Sequence, residues 1–285
     1  MTTFAMRNLK LFFRDRAAVF FSLLAVFVII GLYVLFLGDM VMGDLEGVSG
    51  GRFLMDSWIM AGLMAVTSVT TTMGAVGVVV DDKAKGITKD FHTSPLKRTT
   101  LVGGYLVSTI VVGTIMSVVA LVLAELYIVG SGGEFLPWGN LLKVLGLIFL
   151  STMTSGSMMF LMVSFFNTQN AFGVASTVLG TLIGFLMGIY VPIGVLPSSV
   201  QTVIKIFPIS HAAALFRQVF MEVPMASSFA GAPPEMVEGF QTAVGVIYQI
   251  GDGTVSFLGS MMFLVATTVL FFGLGVWRML VPPKR

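Results

Sequence analysis

The sequence predicts an all-α membrane protein with six transmembrane helices, an N-terminal interfacial helix and an outer-leaflet helical hairpin before the last span. Of the 285 residues, 56% are hydrophobic and only 11% are charged, whereas a soluble domain has about 25% charged residues. The few charges separate uncharged stretches that are long enough to cross a bilayer. Basic residues gather in alternate connecting segments, as expected if those segments stay on one side of the membrane.

Residues 3–16, at the start of the chain, predict an amphipathic helix that lies along the membrane surface. At about 100° per residue, Arg7, Lys10 and Arg14 share one side of this helix. The opposite side is apolar, although Phe4 and Leu11 break the pattern, and it comprises Ala5, Met6, Leu9, Phe12 and Phe13. A basic face opposite an apolar face is typical of interfacial helices, and the alternative is a frayed cytosolic start.

Each predicted span is built around an uncharged stretch close to the length of about 20 residues that a membrane helix requires. The first span has 15 Leu, Ile, Val or Phe residues, a longer apolar core than the about 7–15 residues of a cleaved signal peptide. The run at 144–204 is too long for one helix, and Asn167-Thr168-Gln169-Asn170 predicts a turn that divides it. The six spans are 17–38, 57–80, 101–129, 143–166, 171–190 and 254–278.

Small and polar residues are concentrated in three of the spans. Hydroxyl side chains crowd the second and fourth spans, which should face protein or a water-filled route; tight packing by small residues is the alternative. Gly180, Gly184 and Gly188 recur every four residues in the fifth span, so one face of that helix should pack closely on a neighbour.

The segment before the last span is apolar but interrupted by Pro192, Pro197 and Pro208. We therefore expect outer re-entrant helices at 193–220, because irregular backbone at membrane depth is tolerated only where protein or water covers it. An outer loop at 221–253 follows, with a short helix starting at Pro233 or Pro234, since proline suits a first helical turn.

The distribution of charge predicts the orientation of the chain. Twelve of the 16 Lys and Arg residues lie in the N-terminal segment, the 81–100 loop and the C-terminus, while nine of the 14 acids lie in the opposite loops. Because positive loops stay cytoplasmic, both termini should be cytoplasmic, in a multi-pass protein of the bacterial plasma membrane.

Five residues are candidates for a substrate route, each with a structural alternative. Glu125 is the only acid inside a predicted span, and a buried acid is a functional hypothesis by default. Two hydroxyls come from the polar spans, and two basic residues come from the outer hairpin, where bonding to nearby backbone or carboxylates is the alternative. The candidates are Thr71, Glu125, Ser155, His211 and Arg217.

The sequence offers no catalytic, cofactor-binding or metal site. It has two His and no Cys, and no H-E-x-x-H, paired-carboxylate or Ser/His/Asp spacing occurs. It also lacks the G-x-x-x-x-G-K-[ST] phosphate loop, so another polypeptide is expected to bind any ATP that is used. A nucleic acid partner is not expected.

Three groups of residues together resemble the ABC transporter permeases of the ABC-2 (type 2 exporter) family. Arg7-Asn8-Leu9-Lys10 with Arg14-Asp15-Arg16 resembles the elbow helix of that family. Asp82-Lys83-Ala84-Lys85-Gly86 and Ser94-Pro95-Leu96-Lys97-Arg98 resemble its coupling segment, although the family often has Gly-Thr where this chain has Gly86-Ile87-Thr88. Val191-Pro192-Ile193-Gly194-Val195-Leu196-Pro197, Phe207-Pro208-Ile209-Ser210-His211 and Arg217 resemble the segment before its last span.

The resemblance implies a permease that exports an amphipathic drug, lipid, glycan or peptide, for example in multidrug efflux. Two such subunits, identical or different, would form the pore, and each would bind a cytosolic ABC ATPase that holds ATP and Mg. The ATPase would act on the elbow helix, with Arg7, Lys10 and Arg14, and on the coupling loop. The expected coupling residues are Lys83, Lys85, Gly86, Lys89, Phe91, His92 and Pro95.

Two other classes remain as alternatives. An ion-coupled secondary transporter would usually have ionisable pairs inside its spans, whereas these spans are nearly free of charge. A membrane assembly or immunity protein is the other alternative.

Overall fold

The protein is an all-α membrane protein, as the sequence predicts. The structure, a computed structural model, describes residues 1–37, 50–88, 91, 97–251 and 253–280. Within these residues, six helices are long and apolar enough to cross a membrane. They are α2 (Arg16–Leu32, continued by a π-helical turn at Tyr33–Leu37), α3 (Gly51–Ala84), α4 (Arg98–Gly130), α5 (Trp138–Val163), α6 (Gln169–Leu186) and the last helix, Phe257–Leu280.

The N-terminal helix α1 (Thr2–Arg14) lies against the bundle with one narrow stripe of side chains. The buried stripe is the adjacent pair Phe4 and Ala5, followed by Asn8 and Phe12 at helical spacing, and it faces mainly α4. Phe4, which was expected to break the apolar face, is therefore at the contact. Met6 and Phe13, which were expected on that face, are exposed. Asp15 then ends α1 and caps α2, where its carboxylate accepts a hydrogen bond from the Ala18 amide.

Helix α3 is the centre of the bundle and packs against α2, α4, α5 and α6. Small residues let the helices approach closely: a methyl group at Gly113 of α4 would lie 2.6 Å from Thr72 Cγ2 of α3. By contrast, α6 and the last helix are mostly exposed, and their outward side chains are apolar. The bundle thus presents a hydrocarbon-compatible exterior around a packed centre.

The three glycines of α6 do not form one continuous contact within the chain. A methyl group at Gly184 would overlap the Tyr190 ring, whereas none of the described atoms lies within 4 Å of the corresponding position at Gly180. Gly188 has a φ of +63° just after α6 ends, a conformation that favours glycine. Within the chain, only part of this small-residue face therefore contacts a neighbouring segment.

Two short helices, α7 (Ser198–Ile206) and α8 (Pro208–Phe220), meet at an angle of 88° in the segment expected to be re-entrant. Pro208 occupies the first turn of α8, which is buried between α3, α5 and the last helix. Helices α9 (Glu222–Ser228) and α10 (Pro234–Ala243) follow, and α10 begins at a proline, as expected. An antiparallel hairpin with two residues in each strand, β1 (Gln249–Ile250) and β2 (Gly253–Thr254), was not expected. It precedes α11 (Phe257–Leu280).

Candidate functional site

The end of α3 that carries most of its charge holds a buried carboxylate, Asp82, bound to two other helices. Arg7 of α1 donates two hydrogen bonds to the Asp82 carboxylate oxygens, at 2.8 and 2.9 Å. The Tyr105 hydroxyl of α4 donates a third, at 2.6 Å. Asp82 is 2% exposed, so this two-pronged, charge-assisted contact lies largely out of solvent.

Further polar and aromatic contacts surround the contact of Asp82 with Arg7 and Tyr105. Asn8, the residue after Arg7 in α1, donates to the Ser108 hydroxyl at 3.3 Å, one turn along α4 from Tyr105. The Phe4 ring meets the rings of Tyr105 and Phe91 edge to face, and the Arg7 guanidinium lies over the rings of Phe4 and Phe91. We call Arg7, Asn8, Asp82, Phe91, Tyr105 and Ser108 the Asp82 cluster.

The Asp82 cluster keeps its central cation charged. The hydrogen bond from Arg7 to Asp82 raises the pKa of the guanidinium above its ordinary value, outweighing the opposing effect of burial. Because Phe91 belongs to the 81–100 loop, the cluster joins α1, α3, α4 and that loop at one place. Residues of the loop and of α1 therefore contact the ends of two spans directly.

The lysines predicted to couple to a partner have different surroundings. Lys83 Nζ donates to the carbonyl oxygens of Val163 and Phe166, so it caps the end of α5 instead of facing outward. Lys85 is exposed, with Asp81 at 3.9 Å as its partner one turn earlier. Gly86 follows with a φ of +74°, which ends the helix. Phe91 packs as described above, whereas Lys89, His92 and Pro95 lie outside the described residues.

A cleft of about 630 Å³ opens between α1, α3 and α6 beside the Asp82 cluster. Charges of both signs line it, together with the apolar side chains of Leu11, Phe12 and Phe172. The charged and amide residues are Arg7, Arg14, Asp15, Asp81, Asp82, Lys85 and Gln169. Lys10 and Arg14 of α1 are exposed nearby. Such a mixed surface can bind a protein segment that has complementary charges and an apolar side chain.

The hydroxyl candidates for a substrate route, Thr71 and Ser155, are buried in the bundle. Thr71 donates to the carbonyl of Thr67 in its own helix at 2.7 Å. Ser155 lies 3.0 Å from the Ser68 hydroxyl, which also accepts a hydrogen bond from Ser151. Similar hydroxyl pairs join Thr114 to Thr152 and Thr154 to Thr268. These contacts hold helices together in the way expected of polar groups in membrane bundles.

Glu125, near the far end of α4, has one satisfied carboxylate oxygen. Its Oε2 accepts a hydrogen bond from the Leu136 amide at 3.0 Å, and its Oε1 is buried without a partner among the described residues. Helix α3 extends beyond the predicted 57–80 span, so a second acid, Asp56, is also buried at this end of the bundle. The Tyr127 hydroxyl donates to Asp56 at 3.4 Å.

Arg217 of α8 is fully buried, and carbonyl groups accept its hydrogen bonds. Its Nη2 donates to Met187 and Gly188 at 2.6 and 3.1 Å, and its Nη1 donates to Gly245 at 3.4 Å. Its guanidinium also lies over the Trp58 ring. Arg217 therefore fastens the end of α6 and the 244–246 segment to α8, and the negative end of the α6 dipole partly compensates its charge.

His211, also on α8, is likewise hydrogen-bonded inside the bundle. Its Nε2 lies 2.8 Å from the Lys205 carbonyl oxygen, which can only accept, so Nε2 carries the proton. In the neutral ring, Nδ1 then accepts from the Ser260 hydroxyl at 3.2 Å. The five route candidates are thus spread over both halves of the bundle, and the structure does not bring them together.

Sequence reasoning missed Asp82 and Tyr105 as partners of Arg7, and it considered Asp82 as part of the segment that resembles the coupling segment. One available signal was Asn8, a polar residue in the middle of a stripe that is otherwise apolar. Within the residues that the structure describes, no three His, Asp or Glu side chains come together in a way that could hold a metal ion.

Comparison with known families identifies the family of the chain. The model of the ABC-2 family transporter proteins matches residues 46–277. No curated protein matches the chain.

Proposed function

Because the chain belongs to the ABC-2 transporter family and is a multi-pass membrane permease of an ABC transporter, we propose that it is the membrane subunit of an ATP-driven exporter. The ATPase in this proposal is a separate cytosolic chain that binds ATP and Mg. The absence of a phosphate loop from these 285 residues supports the placement of ATP binding on that separate chain. The main structural support for this proposal is the Asp82 cluster, which joins α1, two spans and the 81–100 loop.

The ATPase binds, in this proposal, at the end of the bundle that carries Lys85 and the mixed-charge cleft. The cleft lies between α1 and α3, so a protein segment inserted there contacts both helices of the Arg7–Asp82 pair. Its charges of both signs suit a protein surface better than a lipid surface, which would select one sign. The excess of Lys and Arg in the neighbouring segments supports a cytoplasmic location for this end.

A second permease subunit, identical or different, binds along α6 in this proposal. Thr177 and Thr181 are exposed on α6 and donate only to carbonyl groups of their own helix, Gly173 and Thr177. Neither Gly173 nor Gly180 has a neighbour that a methyl group would meet. Small residues and hydroxyls on an otherwise apolar helix are typical of helix–helix contacts in membranes, where they permit close approach.

The substrate of the proposed exporter is amphipathic, such as a drug, lipid, glycan or peptide. Its route would run between subunits, because the five polar candidates are dispersed through one bundle and each is hydrogen-bonded to backbone or to another side chain of that bundle. Relative movement of α1, α3 and α4 would open and close that route when the ATPase binds and hydrolyses ATP. Arg217 would keep the far ends of α6 and α8 moving as one body.

Proteoliposomes that contain the chain with the ATPase from a neighbouring reading frame test this proposal. We expect an amphipathic fluorescent dye to move only when ATP and Mg are supplied on the ATPase side. An ATPase with its phosphate-loop Lys replaced by Ala is the control and should abolish movement. Dye movement driven by a proton or sodium gradient, without any ATPase, would instead favour the secondary-transporter alternative.

A further inference from the structure

A second cavity, of about 150 Å³, lies at the basic end of the bundle on the side away from the mixed-charge cleft. Apolar side chains of α3, α4 and α11 form most of its wall, and Lys83 and Arg98 stand at its edge. The apolar part is Val79, Leu101, Val102 and Met279, with the Phe91 and Tyr105 rings. It is smaller than the about 300–1,000 Å³ of pockets for compact ligands, so it suits one section of an elongated molecule.

Two cations, Lys83 and Arg98, line this cavity, and a third, Arg278, adjoins one of its lining residues; none has an acidic partner among the described residues. Lys83 uses two of its three N–H donors on the carbonyls of Val163 and Phe166, which leaves one unassigned. Arg98 is exposed and makes one long hydrogen bond, 3.4 Å to the Leu280 carbonyl. Arg278 is exposed next to the cavity-lining Met279 and lies over the Phe165 ring. The four ion pairs found in the described residues involve other cations.

We infer that this cavity is a binding site for an anionic phospholipid of the adjoining leaflet. The acyl chain would occupy the apolar cavity, and the phosphate would receive hydrogen bonds from Arg98, Arg278 and the remaining Lys83 donor. Basic pockets between membrane helices bind anionic headgroups for this reason. A soluble phosphate would satisfy the cations but leave the apolar wall unfilled, and a zwitterionic lipid would fill the wall but add no net negative charge.

The bound lipid would join the ends of α3, α4 and α11 beside the Asp82 cluster, because Tyr105 belongs to both. The inference requires only that this end of the bundle meets a leaflet. It does not depend on the ATPase or on the direction of transport.

Lipid retention by the purified full-length chain tests the inference without the ATPase. The protein is loaded with equal amounts of dioleoylphosphatidylglycerol and dioleoylphosphatidylcholine, stripped with detergent, and examined by native mass spectrometry. We expect the anionic lipid to remain preferentially. Arg98→Gln and Arg278→Gln, both at exposed positions, should each reduce that preference about five-fold at low salt.

The matched control is Lys143→Gln, an exposed cation at the opposite end of the bundle, paired with Glu222 at 3.2 Å. It should leave retention unchanged. Equal retention of both lipids by the unsubstituted chain, or an unchanged preference in the Arg98→Gln/Arg278→Gln double variant, would overturn the inference. Displacement of the anionic lipid by millimolar glycerol phosphate would also overturn it, by showing that the headgroup alone is bound. ATP-driven transport that survives any of these results would leave the proposed function intact.

Discussion

Arg7 and Asp82 are 75 positions apart in the chain, yet the guanidinium and carboxylate meet through two hydrogen bonds of 2.8 and 2.9 Å. The pair joins a helix outside the bundle to its central helix. Because the Tyr105 hydroxyl donates to the same carboxylate, a third helix, α4, is bound to the pair. In the proposed exporter, this contact is the link through which α1 would act on the spans.

A double-mutant cycle on this pair should reveal strong coupling. Arg7→Gln or Asp82→Asn alone should cost about 1.5–3 kcal/mol of stability, because each removes a hydrogen bond to a charged group. The double variant should cost clearly less than the sum, with a coupling of about 1 kcal/mol or more. Thermal unfolding in detergent measures all three variants, and Lys10→Gln on the exposed side of α1 is the control. Additive losses would show that the two side chains do not act together.

Lys83 and Lys85 should separate stability from coupling. Lys83→Gln removes the cap on the end of α5 and should lower stability by about 1 kcal/mol. Lys85→Glu lies at an exposed position, so it should leave stability within about 0.5 kcal/mol.

Combined with Lys89→Glu, the Lys85→Glu substitution should uncouple ATP hydrolysis from export while membrane insertion continues. Unsubstituted levels of export per ATP in that double variant would refute the docking role of this surface.

Arg217 should not tolerate replacement by lysine. A lysine has one nitrogen and cannot reach the carbonyls of Met187, Gly188 and Gly245 at once. We expect Arg217→Lys to lower stability by about 1.5–3 kcal/mol, measured by thermal unfolding. Arg52→Gln at the same end is the control, since its ion pair with Asp56 spans 4.0 Å on an exposed side chain and should contribute less than about 1 kcal/mol. Equal losses for the two variants would indicate that the buried contacts are weak.

Cysteine cross-linking should identify the permease contact, because the chain contains no cysteine of its own. Thr181→Cys on α6 should form a disulfide-linked dimer in membranes if the two subunits are identical. Val269→Cys on α11, equally exposed to the exterior, should not. A cross-link at Val269→Cys alone would move the interface to α11. Cross-linking of Thr181→Cys only to a different permease chain would establish a heterodimer.

The sequence alone predicts those parts of the fold that depend on whether lipid or water surrounds the chain. Uncharged stretches and the polar break at Asn167 predict where helices exist, because transfer of a charge into lipid is costly wherever it occurs. Thr168 caps α6 as the break predicts, and Pro234 begins α10. These are local effects, and each depends on a few neighbouring residues.

Contacts between distant residues could not be predicted in the same way. Periodicity placed Arg7 on a solvated face, and only the three-dimensional packing of α1 against α4 turns it toward Asp82. Likewise, Lys83 and Lys85 look equivalent in sequence, but two residues along a helix is a rotation of about 200°, so they face opposite directions. The short β1–β2 hairpin carries no pattern long enough to be recognised.

Site-specific photocross-linking tests the central claim most directly. A photoreactive amino acid is placed at Lys85, beside the mixed-charge cleft, or at Lys143, at the opposite end, in a chain expressed with the ATPase from the neighbouring reading frame. We expect the ATPase, identified by its Walker motifs, to be captured from position 85 and not from position 143. Capture from position 143 alone, or no stable complex with that ATPase, would contradict the account.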